Sequence, residues 1–255
     1  MPVQALRGEI FDRNGKALVK NEPTFDLITR PNFISNIDSF LEEIEPVIFL
    51  SQAEKNRYKK LQKEKAFVNK ELVLKKDLSD EEIARFNVRS FNFQNVFIAK
   101  RYRRISDYPE IFSHVLGYTL RTDDDYKSMP EIPRSHWKDA ELSYAHGLIK
   151  GRTGLEEVYD DYLSGNHGQR IYEMNARGQL VQPLSFYEPV KGPDLYTNLD
   201  IEAQKSAAKY IGNRKGAVVA IDLESGGINV LYSSPVYSIN KLSNGMSDME
   251  FQDLK

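Results

Sequence analysis

Apolar residues recur at helical spacing in the stretch 35–89, where three or four positions separate successive members of one face. That period is typical of a helix with one buried side. The repeat is clearest at Ile37, Phe40, Leu41 and Ile44. Two capping-box patterns that begin helices follow in the same stretch, Ser51 with Glu54 and Ser79 with Glu82. We therefore predict a helical segment over 35–89 whose apolar faces lie in a domain core.

Shorter apolar runs predict strands on either side of this segment. Ile10–Phe11 precede Asp12-Arg-Asn-Gly15, a strong turn signal, so two short strands should flank that turn. Residues 90–120 alternate more like strands, and this includes Val115–Tyr118. Residues 121–150 are polar and irregular, which favours an excursion on the surface.

A second pattern begins near Tyr196. Asp200 is placed to cap a helix over 201–211 that Gly212 would end. Two β-rich runs then flank a Gly-Gly turn, which predicts a β-hairpin over 217–232. Such a hairpin belongs in a larger sheet and leaves an open edge by itself. We expect the last 60 or so residues to be poorly ordered, packed on the rest of the chain, or paired with another molecule.

Two smaller segments complete the pattern. Gly151–Gly168 should hold a short helix that Gly165 ends. Residues 240–255 are polar with no clear period.

Composition narrows the function classes. The 255 residues carry 35 basic against 37 acidic side chains, which argues against a nucleic-acid binder. The absence of cysteine excludes disulfides and thiolate chemistry. The four histidines show no metal-like spacing, so no cofactor is expected. The basic run Lys100–Arg104 is interpreted as an exposed strand with salt-bridged arginines, with a phosphate or acidic-polymer contact as the alternative.

Several segments, taken in order, resemble class B penicillin-binding proteins of the elongation-type penicillin-binding protein 2 group. They are Arg7-Gly8-x-Ile10-x-Asp12-Arg13-Asn14-Gly15, His114-Val-Leu-Gly117-Tyr118, Gly151-Arg-Thr-Gly154-Leu-Glu156, Glu173-x-Asn175-x-Arg177-Gly178, Asp194 to Asp200, and Gly216 to Asp222. Each segment alone is weak, but their order across nearly the whole chain is specific. We expect the charged, histidine and glycine residues of these motifs to carry structure, with Arg7 or Arg177 bridging to a carboxylate such as Glu156 or Asp200.

The resemblance implies an α+β fold. An elongated pedestal of mixed strands would span 1–195 with a helical head subdomain over roughly 30–150, and 196–255 would be the truncated beginning of a transpeptidase domain. It also implies a non-catalytic role in peptidoglycan synthesis and cell-shape maintenance, at the periplasmic face of the inner membrane, with any anchor upstream. The implied partners are an MreC-like scaffold and a membrane glycosyltransferase of the shape, elongation, division and sporulation class. Apolar head residues could supply the contact: Phe33, Phe40, Phe49 and Phe67.

The family acylates a serine in a Ser-x-x-Lys motif, and Ser238-Ile-Asn-Lys241 matches it literally. We interpret this match as coincidence, because Ser238 lies in a polar stretch shortly after the hairpin and not at the start of a buried helix. The sequence has no Lys-Thr-Gly, and its Ser164-Gly-Asn166 falls near a helix end. We expect no catalytic residue and no metal site here. The alternative is a serine acyltransferase that uses Ser238 and Lys241.

Overall fold

A computed structural model describes residues 2–30, 34, 36–63, 72–121, 149–174 and 180–244. The strands are β1 (Pro2–Val3), β2 (Ile10–Phe11), β3 (Ala17–Thr29), β4 (Leu72–Lys75), β5 (Val96–Ile105), β6 (Thr119–Arg121), β7 (Ile149–Gly151), β8 (Gly168–Met174), β9 (Leu180–Tyr187), β10 (Leu195–Tyr196), β11 (Gly216–Ile221) and β12 (Ile228–Ser234). The helices are α1 (Ile37–Ile44), α2 (Gln52–Lys63), α3 (Asp80–Arg89) with a 3-10 turn at Ser90–Asn92, α4 (Ser113–Leu116), α5 (Gly154–Val158), α6 (Asp160–Ser164), α7 (Ile201–Ile211) and α8 (Ile239–Asn244). The fold is α+β, as predicted.

The chain divides into two compact units. Unit 1 comprises residues 1–22 and 103–255, and unit 2 comprises residues 23–102. The division falls within β3 and β5, two strands that pair with each other. The predicted limits of pedestal, head and transpeptidase start stay predictions.

Unit 2 packs α1, α2 and α3 around strand pairs. β4 pairs antiparallel with β3, and Leu27 lies opposite Lys75. Both predicted capping boxes form, at the first turns of α2 and α3. The Tyr58 hydroxyl shares a 2.7 Å hydrogen bond with Thr29 Oγ1 in this core, and burial raises the pKa of Tyr58 to about 12.

One prediction for this unit is wrong in part. The helical stretch 35–89 is interrupted by β4, because Leu72, Val73 and Leu74 are all buried while pairing with β3. A short run that is apolar on every residue does not distinguish a buried strand from a buried helix.

The described residues of unit 1 form four separate strand arrangements. β10 pairs parallel to β2, which pairs antiparallel with β3 across the predicted turn. β8 lies between β1 and β9, while β6 pairs with β7 and β11 pairs with β12. Gly15 adopts a φ of 75° in the turn after β2, a backbone conformation that glycine adopts readily.

The core of unit 1 draws on distant parts of the chain. Its buried members are Ile10, Leu18, Val19, Phe112, Leu116, Leu163, Leu199, Ile201 and Ile239. Leu199, Ile201 and Ile239 belong to the region for which three outcomes were predicted. The described part of that region is therefore packed on the rest of unit 1. Among the described residues β11 pairs only with β12, so the predicted open edge is present there.

The start of the second pattern forms as predicted. The Asp200 side chain caps α7 by accepting the backbone N–H groups of Glu202 and Ala203 at 2.9 and 3.0 Å. Gly212 ends α7 with a φ of 57°. The buried side chain of Gln204 joins α7 to its surroundings. Its Nε2 donates to the Leu231 carbonyl at 2.8 Å, and its Oε1 accepts the Leu231 N–H at 3.0 Å.

Two further predictions are wrong. Val115 and Leu116 lie in helix α4, not in a strand, with Leu116 fully buried. The stretch after Ser238 forms helix α8, with Ile239 and Leu242 only 4 % and 9 % exposed. Ile239 and Leu242 form the buried face of this short helix. Two apolar residues are too few to establish a helical period in the sequence.

Candidate functional site

A buried group of charges joins the first sequence motif to the third. The Arg7 side chain is 2 % exposed, and its Nε donates to Glu156 Oε2 at 2.7 Å. Its Nη1 donates to Asp160 Oδ1 at 2.7 Å and to Ser164 Oγ at 2.9 Å, while Nη2 donates to the Glu156 carbonyl at 2.8 Å. All three guanidinium nitrogens therefore have partners. Such charge-assisted bonds fix the chain start onto α5 and α6.

A second arginine meets the same carboxylate. Arg104 Nε donates to Glu156 Oε1 at 2.7 Å, and Arg104 Nη1 donates to Asn21 Oδ1 at 3.0 Å. Burial lowers the pKa of the Arg104 guanidinium, and the Glu156 charge opposes that shift. We name Arg7, Arg104, Glu156 and Asp160 the charge cluster.

The charge cluster confirms one predicted partner of Arg7 and corrects the predicted exposure of Arg104. Arg7 pairs with Glu156, one of the two carboxylates expected, whereas Asp200 caps α7. Lys100–Arg104 was expected to be an exposed strand with salt-bridged arginines, and the strand and the ion pairs of Arg103 and Arg104 are confirmed. The exposure is wrong for Arg104, which is 4 % exposed because strand β5 turns it inward to Glu156. Asp160 was missed, although its position one helical turn after Glu156 was a usable signal.

Motif glycines lie where two backbones approach closely. A Cβ on Gly8 would lie 1.9 Å from the Pro193 carbonyl oxygen, and one on Gly151 would lie 1.9 Å from that of Glu156. Gly117 and Gly154 face each other with φ of 72° and 62°, and a Cβ on Gly154 would lie 2.6 Å from the Gly117 nitrogen. These glycines let the motif segments touch through the main chain.

The turn after β2 is held by its own aspartate. Asp12 Oδ1 accepts the N–H groups of Asn14 and Lys16, both at 2.8 Å. The Arg13 N–H donates to the Leu199 carbonyl at 2.9 Å, which ties this turn to the residues that precede α7. The motif thus links the chain start to the second sequence pattern.

His114 makes contacts of a structural kind. Its Nε2 lies 2.8 Å from the Pro235 carbonyl oxygen, and its ring meets the Tyr237 ring edge-on at 5.0 Å. Arg177 and Gly178 lie outside the described residues. The structural role of the motif residues therefore stays a prediction.

Ser238 lies immediately before α8, a helix with two buried residues, so the reason given above for setting it aside is wrong. Ser238 is half-buried, while Lys241 is exposed. α8 is fixed by Asn240, whose Nδ2 donates to the Ser106 carbonyl and whose Oδ1 accepts the Ser106 N–H, both at 2.8 Å. A lysine that activates a serine is usually desolvated against it, and Lys241 faces solvent.

Exposed apolar side chains occur on both units. On unit 2 the largest exposed fractions belong to Val88 and Phe91, both 75 %, and to Phe49, 67 %. Phe40 was assigned both to the core-facing stripe of the first helix and to a possible contact patch. It packs in the core near Tyr58 with 9 % exposure, so the first assignment is confirmed and the second is wrong. Phe33 and Phe67 lie outside the described residues. Within the described ranges no three histidine, aspartate or glutamate side chains are grouped to hold a metal ion. No helix in the same ranges is long and apolar enough to cross a membrane.

Comparisons with known proteins agree with the motif order. A family model for the penicillin-binding protein dimerisation domain matches residues 2–197. The peptidoglycan D,D-transpeptidase MrdA of Acinetobacter baumannii is 32 % identical over 254 residues, which cover all of this chain and 36 % of that protein. MrdA of Salmonella typhimurium is 30 % identical over 255 residues, with 100 % and 40 % covered. The chain thus spans well under half the length of these relatives.

A solved structure shares the fold. The complex between penicillin-binding protein 2 and MreC from Helicobacter pylori contains a chain that superposes with a TM-score of 0.78 at 24 % identity. That superposition covers all of this chain and 46 % of the other.

Proposed function

This chain belongs to the penicillin-binding protein dimerisation-domain family, and from that premise we propose that it is the non-catalytic pedestal of a peptidoglycan D,D-transpeptidase. The single observation that carries the proposal is the family match over residues 2–197. Residues 1–195 would be the pedestal, with a head over roughly 30–150, and 196–255 would begin the transpeptidase domain. The pedestal would position the catalytic domain on the periplasmic side of the inner membrane during cell-wall synthesis.

The burial of the charge cluster favours a structural role over a catalytic one. Catalytic groups need access to substrate, whereas Arg7, Arg104 and Glu156 are each less than 5 % exposed. Both guanidiniums donate hydrogen bonds to the Glu156 carboxylate, which suits a rigid connection of the chain start and β5 to α5. Ser238 also lacks a desolvated base, since Lys241 is exposed. The alternative of an acyltransferase built on Ser238 is therefore the weaker one.

The partner proposal starts from the exposed apolar residues of unit 2. The Helicobacter pylori protein was solved with MreC, and we infer that an MreC-like scaffold binds this chain as well. A membrane glycosyltransferase of the shape, elongation, division and sporulation class is the second inferred partner. Phe91 and Phe49 are the most exposed aromatic residues in the described part of unit 2, and exposed aromatics are enriched in binding hot spots.

Titration calorimetry with the purified periplasmic region of an MreC-like scaffold tests this inference. The folded chain should bind, and Phe91→Glu should weaken binding by about tenfold or more, since a buried charge opposes an apolar contact. Tyr210→Glu is the matched control, because Tyr210 is 76 % exposed on α7 of unit 1. A folded chain that does not bind would contradict the partner inference. Equal losses for both variants would reject the assignment to unit 2.

A further inference from the structure

A histidine outside the charge cluster holds the first residues of the chain. His167 follows α6, and its Nδ1 accepts the backbone N–H of Ala5 at 3.0 Å. Ala5 is 2 % exposed, and the His167 side chain is half-buried. An Nδ1 that accepts a hydrogen bond carries no proton, so this contact requires the neutral imidazole with its proton on Nε2.

A strand pairing and a further hydrogen bond also attach the segment 2–6. β1 is two residues long and pairs with β8 through Pro2 opposite Gln169 and Val3 opposite Gly168. The Leu6 carbonyl accepts the Gly192 N–H at 2.9 Å. The Ala5 bond therefore lies between a short strand pairing and a further hydrogen bond, and it adds to the attachment that the burial of Ala5 provides.

Among the described side chains, two charged groups act electrostatically on His167. Arg7, on the same chain start, disfavours a second positive charge, while Asp160 on α6 favours one. Asp160 already pairs with Arg7 at 2.7 Å, so much of its negative charge is engaged. Burial is the largest influence and lowers the pKa of His167, with Arg7 acting in the same direction. The neutral form is thus the one that the folded state favours.

We propose that His167 and the Ala5 amide form a pH-sensitive latch that holds residues 2–6 onto β8 and opens when a proton binds Nδ1. A proton from solvent takes the Nδ1 lone pair that the Ala5 N–H uses. The two N–H groups then face each other without an acceptor, and the new imidazolium lies near Arg7. This latch is a property of unit 1 and does not depend on the proposed function.

The sign of the pH dependence follows from these contacts. A histidine whose pKa is lowered by folding binds fewer protons in the latched state than in the open state. The latch is therefore fully present above about pH 6.5, the ordinary histidine pKa, and weakens as the pH falls below it.

Amide hydrogen exchange of the whole chain, followed by NMR from pH 7.5 to 5.0 and corrected for the intrinsic rate, tests the latch. The Ala5 amide should lose protection by about fivefold across this range, the effect of one lost hydrogen bond. His167→Asn keeps an acceptor near the Nδ1 position without titrating, so its Ala5 protection should stay constant. In His167→Ala the Ala5 amide should be poorly protected at both pH 7.5 and pH 5.0. His114→Gln is the matched control and should behave like the parent chain.

The outcomes separate clearly. Protection at Ala5 that is flat with pH in the parent chain would overturn the latch. So would an equal pH-dependent loss in His167→Asn. Amides within α7 act as an internal reference. If these lose protection together with Ala5, the change is global unfolding, and the local latch is rejected.

Discussion

Replacing Glu156 with glutamine tests the charge cluster most severely. The substitution keeps the shape of the side chain but removes the negative charge to which both arginines donate hydrogen bonds. Arg7 would retain Asp160, whereas Arg104 would retain the neutral Asn21 as its side-chain partner among the described residues. Both guanidiniums stay buried, since the Arg7 and Arg104 side chains are 2 % and 3 % exposed.

Breaking a buried ion pair by removing one partner costs about 3–5 kcal/mol, because the remaining charge is left uncompensated. For a chain of this size each kcal/mol lowers the melting temperature by roughly 2–4 °C. We therefore expect Glu156→Gln to lower the melting temperature of unit 1 by about 6–20 °C. Adding Arg104→Met should recover part of the loss, because it removes one uncompensated charge.

Thermal unfolding followed by circular dichroism measures the shift in melting temperature, and urea unfolding together with hydrogen exchange of unit 1 amides measures the loss of free energy. Hydrogen exchange is needed because a chain with two compact units need not unfold in one step. Glu157→Gln is the control, since Glu157 is the exposed neighbour on α5 and should change stability by less than about 0.5 kcal/mol. A loss below about 1 kcal/mol for Glu156→Gln would refute the view that the cluster stabilises unit 1.

Three further outcomes follow from single contacts. Asp200→Ala should destabilise the chain by about 1 kcal/mol through loss of the α7 cap, while Asp200→Asn, which still caps, should cost a few tenths of a kcal/mol at most. Because the capping hydrogen bonds lower the pKa of Asp200, the stabilisation by the cap should fade as the pH drops below about 4. Urea unfolding at pH 7 and at pH 3 measures this change. Gly8→Ala should cost about 1–3 kcal/mol by thermal melting, since its Cβ would collide with the Pro193 carbonyl. Gly216→Ala should be near neutral, because its Cβ would lie 3.6 Å from Ile211 Cδ1, an ordinary contact distance. Equal costs for the two variants would contradict the close-approach argument. An alkaline absorbance titration of the chain minus that of Tyr58→Phe should show one phenol ionising near pH 12, and a difference curve centred near 10 would show that Tyr58 is not buried.

Local sequence signals identified much of unit 1 and of the helices. The Asp200 cap, the Gly212 stop and the hairpin are short-range features, and short-range hydrogen bonding determines them. The two capping boxes in unit 2 formed for the same reason. Where both partners of an interaction lie within one turn of the chain, the sequence alone is sufficient to predict the local structure.

The misplaced features depend on partners that are distant in sequence. β4 is a strand because β3 lies beside it, some 45 positions earlier in the chain. Arg104 is buried because Glu156 accepts its Nε, which pairs residues 52 positions apart. Neither pairing can be inferred from the local period of one chain. Phe40 is the opposite case, because the helical period of Ile37, Phe40, Leu41 and Ile44 placed it in the core, where it lies, and only its place in a contact patch was wrong.

The most direct test of the central claim is intact-protein mass spectrometry after incubation with a fluorescent penicillin. A purified full-length D,D-transpeptidase serves as the positive control, and Ser238→Ala serves as the matched variant. The account predicts that the control acquires a covalent adduct while this chain keeps its own mass of 29.3 kDa. A stoichiometric adduct on the chain that disappears in Ser238→Ala would contradict the non-catalytic assignment.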